Sequence, residues 1–263
     1  MKKTLLLVFI LGLLCNMIFS IKIPENIVSK DNQGNNIYQV DIGEIKIGFK
    51  VVGEGEPIIL LMGLGGTFEN WPEDLINTLS KKYQLIMPDN RGMGWSSDIE
   101  EKTFSYEILS EDVIKFMDAI ELEKAHMIGY SMGSIFIQYI LLNHNERVNK
   151  AVLNATSLNT EGVLESLYKN ANAALPTFGP VKKQMDIVDN WKVNPEDFLN
   201  IENDILLIHG TADNILIVEN SYILSEYIKT SYLSIFEGLD HYLIFEKAKE
   251  FSYICIDFFE GFK

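Results

Sequence analysis

The stretch AHMIGYSMG, residues 125–133, decides the fold that this sequence predicts. It opens with the apolar run Ala125 to Ile128, typical of a strand buried on both faces, and continues into Gly-x-Ser-x-Gly at residues 129–133. A helical pattern, Ile135 to Leu142, follows directly. In this strand–turn–helix context the two glycines permit a sharp turn, which holds Ser131 in strained backbone geometry above the strand ends. Ser131 is therefore the candidate nucleophile, and the N-terminus of the next helix favours negative charge developing beside it.

A serine hydroxyl is a weak nucleophile without an adjacent base, and one of the four histidines is expected to supply it. His241 lies in the loop after the last predicted strand, and we predict it as the general base. Asp213 closes the strand Ile205–Ile208 through a short loop and is predicted to orient the imidazole. Asp240 is the alternative orienter, disfavoured because adjacent residues rarely aim their side chains at one another.

Strand and helix patterns alternate along most of the chain, which predicts an α/β fold with a mostly parallel central sheet and helices on both faces. Residues 37–52 read as two hairpin strands. Further predicted strands are 58–62, 83–87, 125–128, 150–153, 205–208 and 232–236. Predicted helices are 106–120, 135–142 and a closing helix from about 245 to 259.

One segment breaks this alternation. Residues 157–203 have weak periodicity and three prolines, and they stand between two predicted strands where a plain crossover would be shorter. We expect a short cap insertion here, with residues 21–156 and 204–263 forming the core domain. The apolar residues of the cap either line an acyl pocket or pack the cap onto the sheet: Leu158, Leu164, Leu167, Phe178, Met185 and Trp191.

Taken together, these motifs resemble the α/β-hydrolase family over about residues 37–259. The likeness is carried by Gly63-Leu64-Gly65-Gly66, by Asp89-Asn90-Arg91-Gly92-Met93-Gly94-Trp95-Ser96, by the turn around Ser131, by His209 to Asp213 and by Gly238 to His241. The resemblance implies an oxyanion hole made by the backbone N–H groups of Leu64 and Met132. It also implies that Asp89 and Arg91 are structural and brace their loops through an ion pair.

The sequence departs from the family pattern at two positions. Met62 stands where the family commonly has histidine, so we expect the oxyanion loop to be braced in another way. Ser134 stands where a second glycine is frequent, which is a milder change.

The N-terminus predicts export. Lys2 and Lys3 precede an apolar run from Leu5 to Cys15, and Ser20 offers a small residue for cleavage, as in a secretory signal peptide spanning residues 1–20. The run is shorter than the roughly 20 apolar residues that a membrane span needs. An uncleaved N-terminal anchor and a lipid attached at Cys15 remain alternatives.

Composition limits the partners and cofactors. The net charge of −15 repels phosphate backbones, so no nucleic acid is expected. No metal cluster or phosphate-binding loop is visible, and we expect no cofactor and no metal. Cys255, in an apolar stretch, is expected to be a small core residue.

Three functions fit these residues. The first is a carboxylic-ester hydrolase of lipase-like type, which acts through Ser131, His241 and Asp213 on a small or medium apolar ester. The second keeps the triad but cleaves an amide, a lactone or a carbon–carbon bond, since a triad does not choose among these bonds. The third is a binding protein that retains the fold without turnover, which only Met62 suggests.

Overall fold

The computed structural model describes residues 21–170 and 178–262 of the 263-residue chain. The predicted export segment, residues 1–20, lies outside the described residues, as do residues 171–177 of the predicted cap. Within the described ranges, no helix combines the length and the apolar character that crossing a bilayer requires.

A nine-stranded sheet forms the centre of the described molecule, in the order β1-β2-β3-β5-β4-β6-β7-β8-β9. The strands are β1 Ile27–Lys30, β2 Asn36–Asp41, β3 Lys46–Val52, β4 Glu56–Leu61, β5 Tyr83–Pro88, β6 Ala125–Tyr130, β7 Val148–Asn154, β8 Asp204–Gly210 and β9 Ser231–Phe236. The first three run antiparallel, and β3 is antiparallel to β5. The six strands from β5 to β9 in this order are mutually parallel. The predicted fold class is confirmed.

The described helices cover both faces of the sheet, and the sheet separates two apolar cores. They are α1 Glu73–Leu79, α2 Tyr106–Ala119, α3 Met132–Asn143, α4 Val163–Asn170, α5 Gly179–Ile187, α6 Glu219–Tyr227, α7 Leu243–Glu246 and α8 Ala248–Phe259. Apolar residues of α2 and α3 pack on one face, and those of α1 and α8 pack on the other. Both faces of the parallel strands are therefore covered, which explains why β6 is buried at every position.

The structure differs from the predicted elements at several places. The strand β1 and the helices α1 and α6 were not predicted, because each is short and has few apolar positions. The predicted closing helix is two helices, α7 and α8, which are separated at Lys247. Helix α3 begins at Met132, directly after the turn, rather than near Ile135.

The segment 157–203 leaves the sheet after β7 and returns to it at β8, with α4 and α5 between them. Two hydrogen bonds, each of 3.0 Å, join the start of this segment to its end. The Thr160 N–H donates to the Trp191 carbonyl, and the Trp191 N–H donates to the Thr160 hydroxyl. The Trp191 indole also donates to Gln138 of α3. This part of the molecule is therefore anchored to the helix that follows the serine turn.

Cys255 lies on the inner face of α8 and is fully buried in the core that this helix shares with α1. Burial raises the pKa of its thiol well above the ordinary value. The side chain therefore contributes as a small apolar group.

Candidate active site

Ser131 sits in a turn whose backbone is unusual for any residue except glycine. Its φ is 53° and its ψ −121°, between the last residue of β6 and the first of α3. A Cβ on Gly129 would lie 2.5 Å from the Gly133 carbonyl oxygen, and one on Gly133 would overlap the Leu61 carbonyl. Both positions must therefore be glycine for the turn to close, as the motif requires.

Hydrogen bonds fix the turn from both sides. The Ser131 N–H donates to the Asn154 carbonyl at 2.9 Å, which ties the turn to the neighbouring strand β7. The Ser131 carbonyl accepts from the backbone N–H of Ser134 at 2.8 Å and from its hydroxyl at 2.6 Å. Ser134, where glycine is frequent in the family pattern, thus adds a hydrogen bond to the turn.

The structure brings the three predicted triad side chains together, although they are distant in sequence. Ser131 Oγ lies 2.9 Å from His241 Nε2, and His241 Nδ1 lies 2.7 Å from Asp213 Oδ2. Each residue stands just beyond the carboxyl end of a parallel strand: Ser131 follows β6, Asp213 follows β8 and His241 follows β9. With Nδ1 donating to the carboxylate, Nε2 of a neutral ring is free to accept the serine proton.

The Asp213 carboxylate is held on all sides. Its Oδ1 accepts from the backbone N–H groups of Ile215 and Leu216, each at 2.9 Å. Burial alone would raise the pKa of Asp213, but hydrogen bonds from His209 and His241 outweigh it and hold the pKa well below its usual range. The carboxylate is therefore ionised near neutral pH and able to stabilise an imidazolium.

Asp240, the alternative orienting residue, does not accept a hydrogen bond from the His241 imidazole. Its Oδ1 instead accepts from the backbone N–H of Tyr242 at 2.8 Å, within its own loop. The imidazole of His241 is packed between aromatic rings, with centroids 5.3 Å from Tyr130 and 5.8 Å from Tyr242. These rings limit the orientations open to the histidine.

Leu64 and Met132 are the predicted oxyanion donors. Leu64 lines both cavities that Ser131 lines, and Met132 lines the smaller one. Leu64 follows β4, and Met132 is the first residue of α3, where a helix leaves its amides unpaired. Among the described residues, neither backbone N–H is engaged by an acceptor. Both amides are therefore available to a ligand oxygen.

Comparison with known proteins agrees with this architecture. A family model for the alpha/beta hydrolase fold matches residues 56–181. The chain is 26% identical over 270 residues to a Synechocystis sp. protein named as a non-heme chloroperoxidase, covering 84% of this chain and 98% of the relative. It is 23% identical over 251 residues to a 2-hydroxymuconate semialdehyde hydrolase of Pseudomonas sp., covering 78% and 87%.

Among solved structures, the fold is similar to a membrane phospholipase A described as a bacterial virulence factor. The TM-score is 0.73 at 18% identity, and the match covers 100% of this chain and 99% of that one. The chain has the α/β-hydrolase fold. At this identity the structural likeness itself shows the shared fold and no more.

In this α/β hydrolase the oxyanion loop is braced without the histidine that is common before the glycine. The Asn90 side chain donates to the Met62 carbonyl at 3.2 Å, and the Gly65 N–H donates to Gln184 Oε1 at 2.7 Å. The Met62 side chain is buried and packs closely against Gly66. Gln184 comes from α5, so the segment between β7 and β8 helps to set the loop that carries Leu64.

The predicted ion pair between Asp89 and Arg91 is wrong. Arg91 instead forms a two-pronged pair with Asp112 of α2, with both distances 2.7 Å. Asp89 accepts from the backbone N–H groups of Phe68 and Trp95, each at 2.8 Å, and burial raises its pKa to about 6. The two side chains brace loops, as expected, but they do so through separate partners.

His209, part of the stretch 209–213 that resembles the family motif, is a further site residue whose role the sequence did not predict. It is fully buried at the end of β8, and its Nε2 lies 2.6 Å from the Leu216 carbonyl and 3.2 Å from Asp213 Oδ2. Since both partners only accept, Nε2 carries the hydrogen, and Nδ1 accepts from the Ser221 hydroxyl at 2.7 Å. His209 and His241 thus both contact Asp213 Oδ2, and His209 supports the carboxylate from the end of β8.

Among the described residues of the predicted apolar cap set, Leu167 alone lines the cavities beside Ser131. Val163 and Val188 of the same segment, which were not in that set, also line the smaller cavity. Leu158, Met185 and Trp191 are buried, whereas the Phe178 side chain is 85% exposed. Packing is therefore the main role of this set. Across the described residues, no group of three or more His, Cys, Asp or Glu side chains is arranged to hold a metal ion.

Proposed function

We propose that the protein is a carboxylic-ester hydrolase that forms an acyl-enzyme on Ser131. The observation that carries this proposal is the hydrogen-bonded chain from Asp213 through His241 to Ser131, at 2.7 and 2.9 Å. Two unengaged backbone N–H groups stand beside the hydroxyl, at Leu64 and Met132. A base, a nucleophile and an oxyanion site are the three parts that acyl transfer needs.

In the acylation step, Ser131 Oγ attacks the ester carbonyl carbon while His241 Nε2 takes the hydroxyl proton. The carbonyl oxygen becomes an oxyanion, which the N–H groups of Leu64 and Met132 stabilise. Such a donor is worth about 10² to 10³ in rate. The ionised Asp213 stabilises the imidazolium, which then protonates the alcohol oxygen as the carbon–oxygen bond of the ester breaks.

Deacylation runs through the same groups. A water molecule takes the position of the departed alcohol and gives a proton to His241 Nε2 as its oxygen attacks the acyl carbon. The second tetrahedral intermediate collapses, the bond to Ser131 Oγ breaks and the imidazolium returns the proton to the serine. The products are an alcohol and a carboxylic acid, and the enzyme is regenerated.

Hydrolysis of a carbon–carbon bond is the second candidate, which the likeness to the 2-hydroxymuconate semialdehyde hydrolase favours. That relative, by its name, acts on a carboxylate. In this chain the described residues lining the large cavity beside Ser131 include no lysine or arginine, while Glu69 is among them. An anionic substrate would therefore lack a charge partner there, which supports the ester over the carboxylate.

A labelling experiment tests the proposal. We expect a fluorophosphonate probe to label the protein at Ser131, and the Ser131→Ala variant to remain unlabelled. A panel of p-nitrophenyl esters should turn over in the native protein and not in the variant. Labelling of Ser131 without turnover of any ester, together with cleavage of an amide, lactone or carbon–carbon substrate, would favour the second candidate.

A further inference from the structure

The oxyanion loop, residues 63–66, is a four-residue turn that carries Leu64 at its second position. The Gly66 N–H donates to the Gly63 carbonyl at 3.2 Å, and Gly65 has a φ of 72°. Glycine meets little steric resistance to rotation, so this turn has few contacts of its own that hold its shape. The direction of the Leu64 N–H therefore depends on what holds the loop from outside.

Hydrogen bonds from outside the loop hold the peptide groups on both sides of the one that carries the Leu64 N–H. On the preceding side, the Met62 carbonyl accepts from the Asn90 side chain at 3.2 Å. On the following side, the Gly65 N–H donates to Gln184 Oε1 at 2.7 Å. Because each peptide group is planar, fixing the two neighbours leaves the peptide group between them little freedom to rotate.

Gln184 reaches the loop from α5, in the segment between β7 and β8. Val181 and Gln184 lie three residues apart on one face of this helix, and a Cβ at Gly65 would lie 3.4 Å from Val181 Cγ1. The helix is fixed in turn by Lys183, whose ammonium donates to Asp98 Oδ2 at 2.7 Å. The oxyanion loop thus rests on a helix that is also attached to the loop after β5.

Packing alone does not require an amide at residue 184. The Gln184 side chain is fully buried, and its Nε2 has no hydrogen-bond partner within the described part of the chain. Burying an unpaired amide is unfavourable, so an apolar side chain of similar length would pack there at lower free energy. The hydrogen bond that the amide does make is the one from the Gly65 N–H.

Met62 removes one brace that the family pattern commonly supplies at this loop. Its thioether is buried and has no hydrogen to donate, unlike the histidine that is usual there. We propose that Gln184 is a positioning residue, which fixes the oxyanion donor Leu64 from the segment between β7 and β8 in place of that brace. The proposal rests on the proposed acyl transfer, because the Leu64 N–H contributes to the rate only when an oxyanion forms.

Gln184→Met tests this role, because the two side chains have similar length and the substitution removes the amide. We expect kcat for a p-nitrophenyl ester to fall by about tenfold, the factor that one hydrogen bond is worth, with KM unchanged. Inhibition by a trifluoromethyl ketone provides a second readout. Ser131 Oγ adds to the ketone carbon, His241 takes the proton and the ketone oxygen becomes an oxyanion, so the inhibition constant should rise by a similar factor.

Stability separates a positioning role from a packing role. In Gln184→Met the urea midpoint should stay the same or rise, because a buried unpaired amide is removed. Gln138→Met is the matched control. Gln138 is also fully buried, but its amide donates to the Thr156 hydroxyl at 2.6 Å and to the Ser157 carbonyl at 3.0 Å. The control should therefore lose stability and keep its kcat within about twofold.

Gln184→Asn is a second variant, which keeps a polar amide in α5. Its side chain is one methylene shorter, so the amide oxygen no longer reaches the Gly65 N–H. We expect the same pattern as for Gln184→Met, with a lower kcat, an unchanged KM and weaker inhibition by the ketone.

Three results would overturn the role of Gln184: a native kcat in both variants, a lowered kcat with native affinity for the ketone, or a loss of stability that matches the loss of kcat. Failure of the proposed function gives a different result, in which the fluorophosphonate probe does not label Ser131 and no ester turns over. If the native protein hydrolyses esters and both Gln184 variants match it, the role of Gln184 alone is wrong.

Discussion

The serine turn and the Asp213–His241 pair are positioned by different physical means. The turn is set by backbone contacts: Gly129 and Gly133 have no room for a Cβ, and Ser131 is held at a φ of 53°. The pair is set by side-chain hydrogen bonds between loops, in which Asp213 accepts from two histidines and two backbone amides. Steric exclusion acts in the first region and charge in the second.

This difference indicates which changes each region is sensitive to. The turn, where neighbouring backbone leaves no room for a Cβ, tolerates no added atom, but its geometry does not depend on pH. A pair fixed by an ionised carboxylate tolerates small changes of shape, but it depends on the charge of Asp213. Substitutions that add an atom should therefore disturb the turn. Loss of the Asp213 charge, by substitution or at low pH, should disturb the Asp213–His241 pair.

The largest loss of activity is expected from removing the nucleophile Ser131 or the base His241, which the two regions position. Ser131→Ala and His241→Ala should each lower kcat by about 10⁶, and the double variant should lose no more, because the two side chains act as one unit. Steady-state kinetics on a short-chain ester provide the measurement. Additive losses in the double variant would contradict the shared role.

Asp213→Asn sharpens the comparison by removing the charge while keeping the shape. We expect kcat to fall by about 10⁴, because an amide cannot hold the imidazole in the required tautomer or stabilise the imidazolium. Asp240→Asn is the control in the same region, since Asp240 bonds only its own loop, and it should leave kcat within about twofold. A comparable loss of kcat in both variants would contradict the assignment of Asp213 as the residue that orients His241.

Gly129→Ala adds one carbon to the turn and leaves the Asp213–His241 pair untouched. Because the new Cβ would lie 2.5 Å from the Gly133 carbonyl oxygen, the turn must shift, and we expect about a 10²-fold loss in kcat/KM. Gly34→Ala, in an open surface turn, should cost some stability and no activity. Full activity in Gly129→Ala would show that the turn can relax.

His209→Gln weakens the support of Asp213 without touching substrate. The change removes a hydrogen bond to a charged group, so we expect about a tenfold loss in kcat with KM unchanged. His126→Gln is the control, because His126 is also buried but pairs with Glu56 at the opposite end of β6. A rise in KM alone would point to a distorted cavity instead of a mispositioned carboxylate.

The smallest effect concerns stability and pH. The pKa of Asp213 is lower in the folded chain than the value of about 3.9 expected after unfolding. Its stabilising contribution is therefore present above about pH 4 and is lost as the pH falls below that value. Urea unfolding of the native protein and of Asp213→Asn, compared from about pH 6 to pH 3, should show the difference shrinking on acidification.

Local features of the site were predictable from sequence, because their causes lie within a few residues. The turn at Ser131 needs small neighbours and follows an apolar strand, and both signals are adjacent in the chain. The same holds for β6, β7 and β8, where continuous apolar runs in a parallel sheet are typical. The meeting of Asp213 with His241 could be anticipated only because parallel strands end at one edge.

Features that depend on distant packing were missed or misassigned. Arg91 pairs with Asp112, a residue of another element, so proximity in sequence to Asp89 misled the prediction. Gln184 braces the oxyanion loop from a segment whose periodicity is weak, and nothing in its surroundings marks it. His209 has a partial signal, since it stands four residues before Asp213 at a strand end.

The burial of Cys255 gives the molecule an internal reporter. A thiol that is fully enclosed and whose pKa is raised reacts with an alkylating reagent only after α8 separates from the sheet. In a chain that carries Cys15→Ser, the rate of alkylation would therefore time the opening of the C-terminal helix under conditions where the enzyme still turns over.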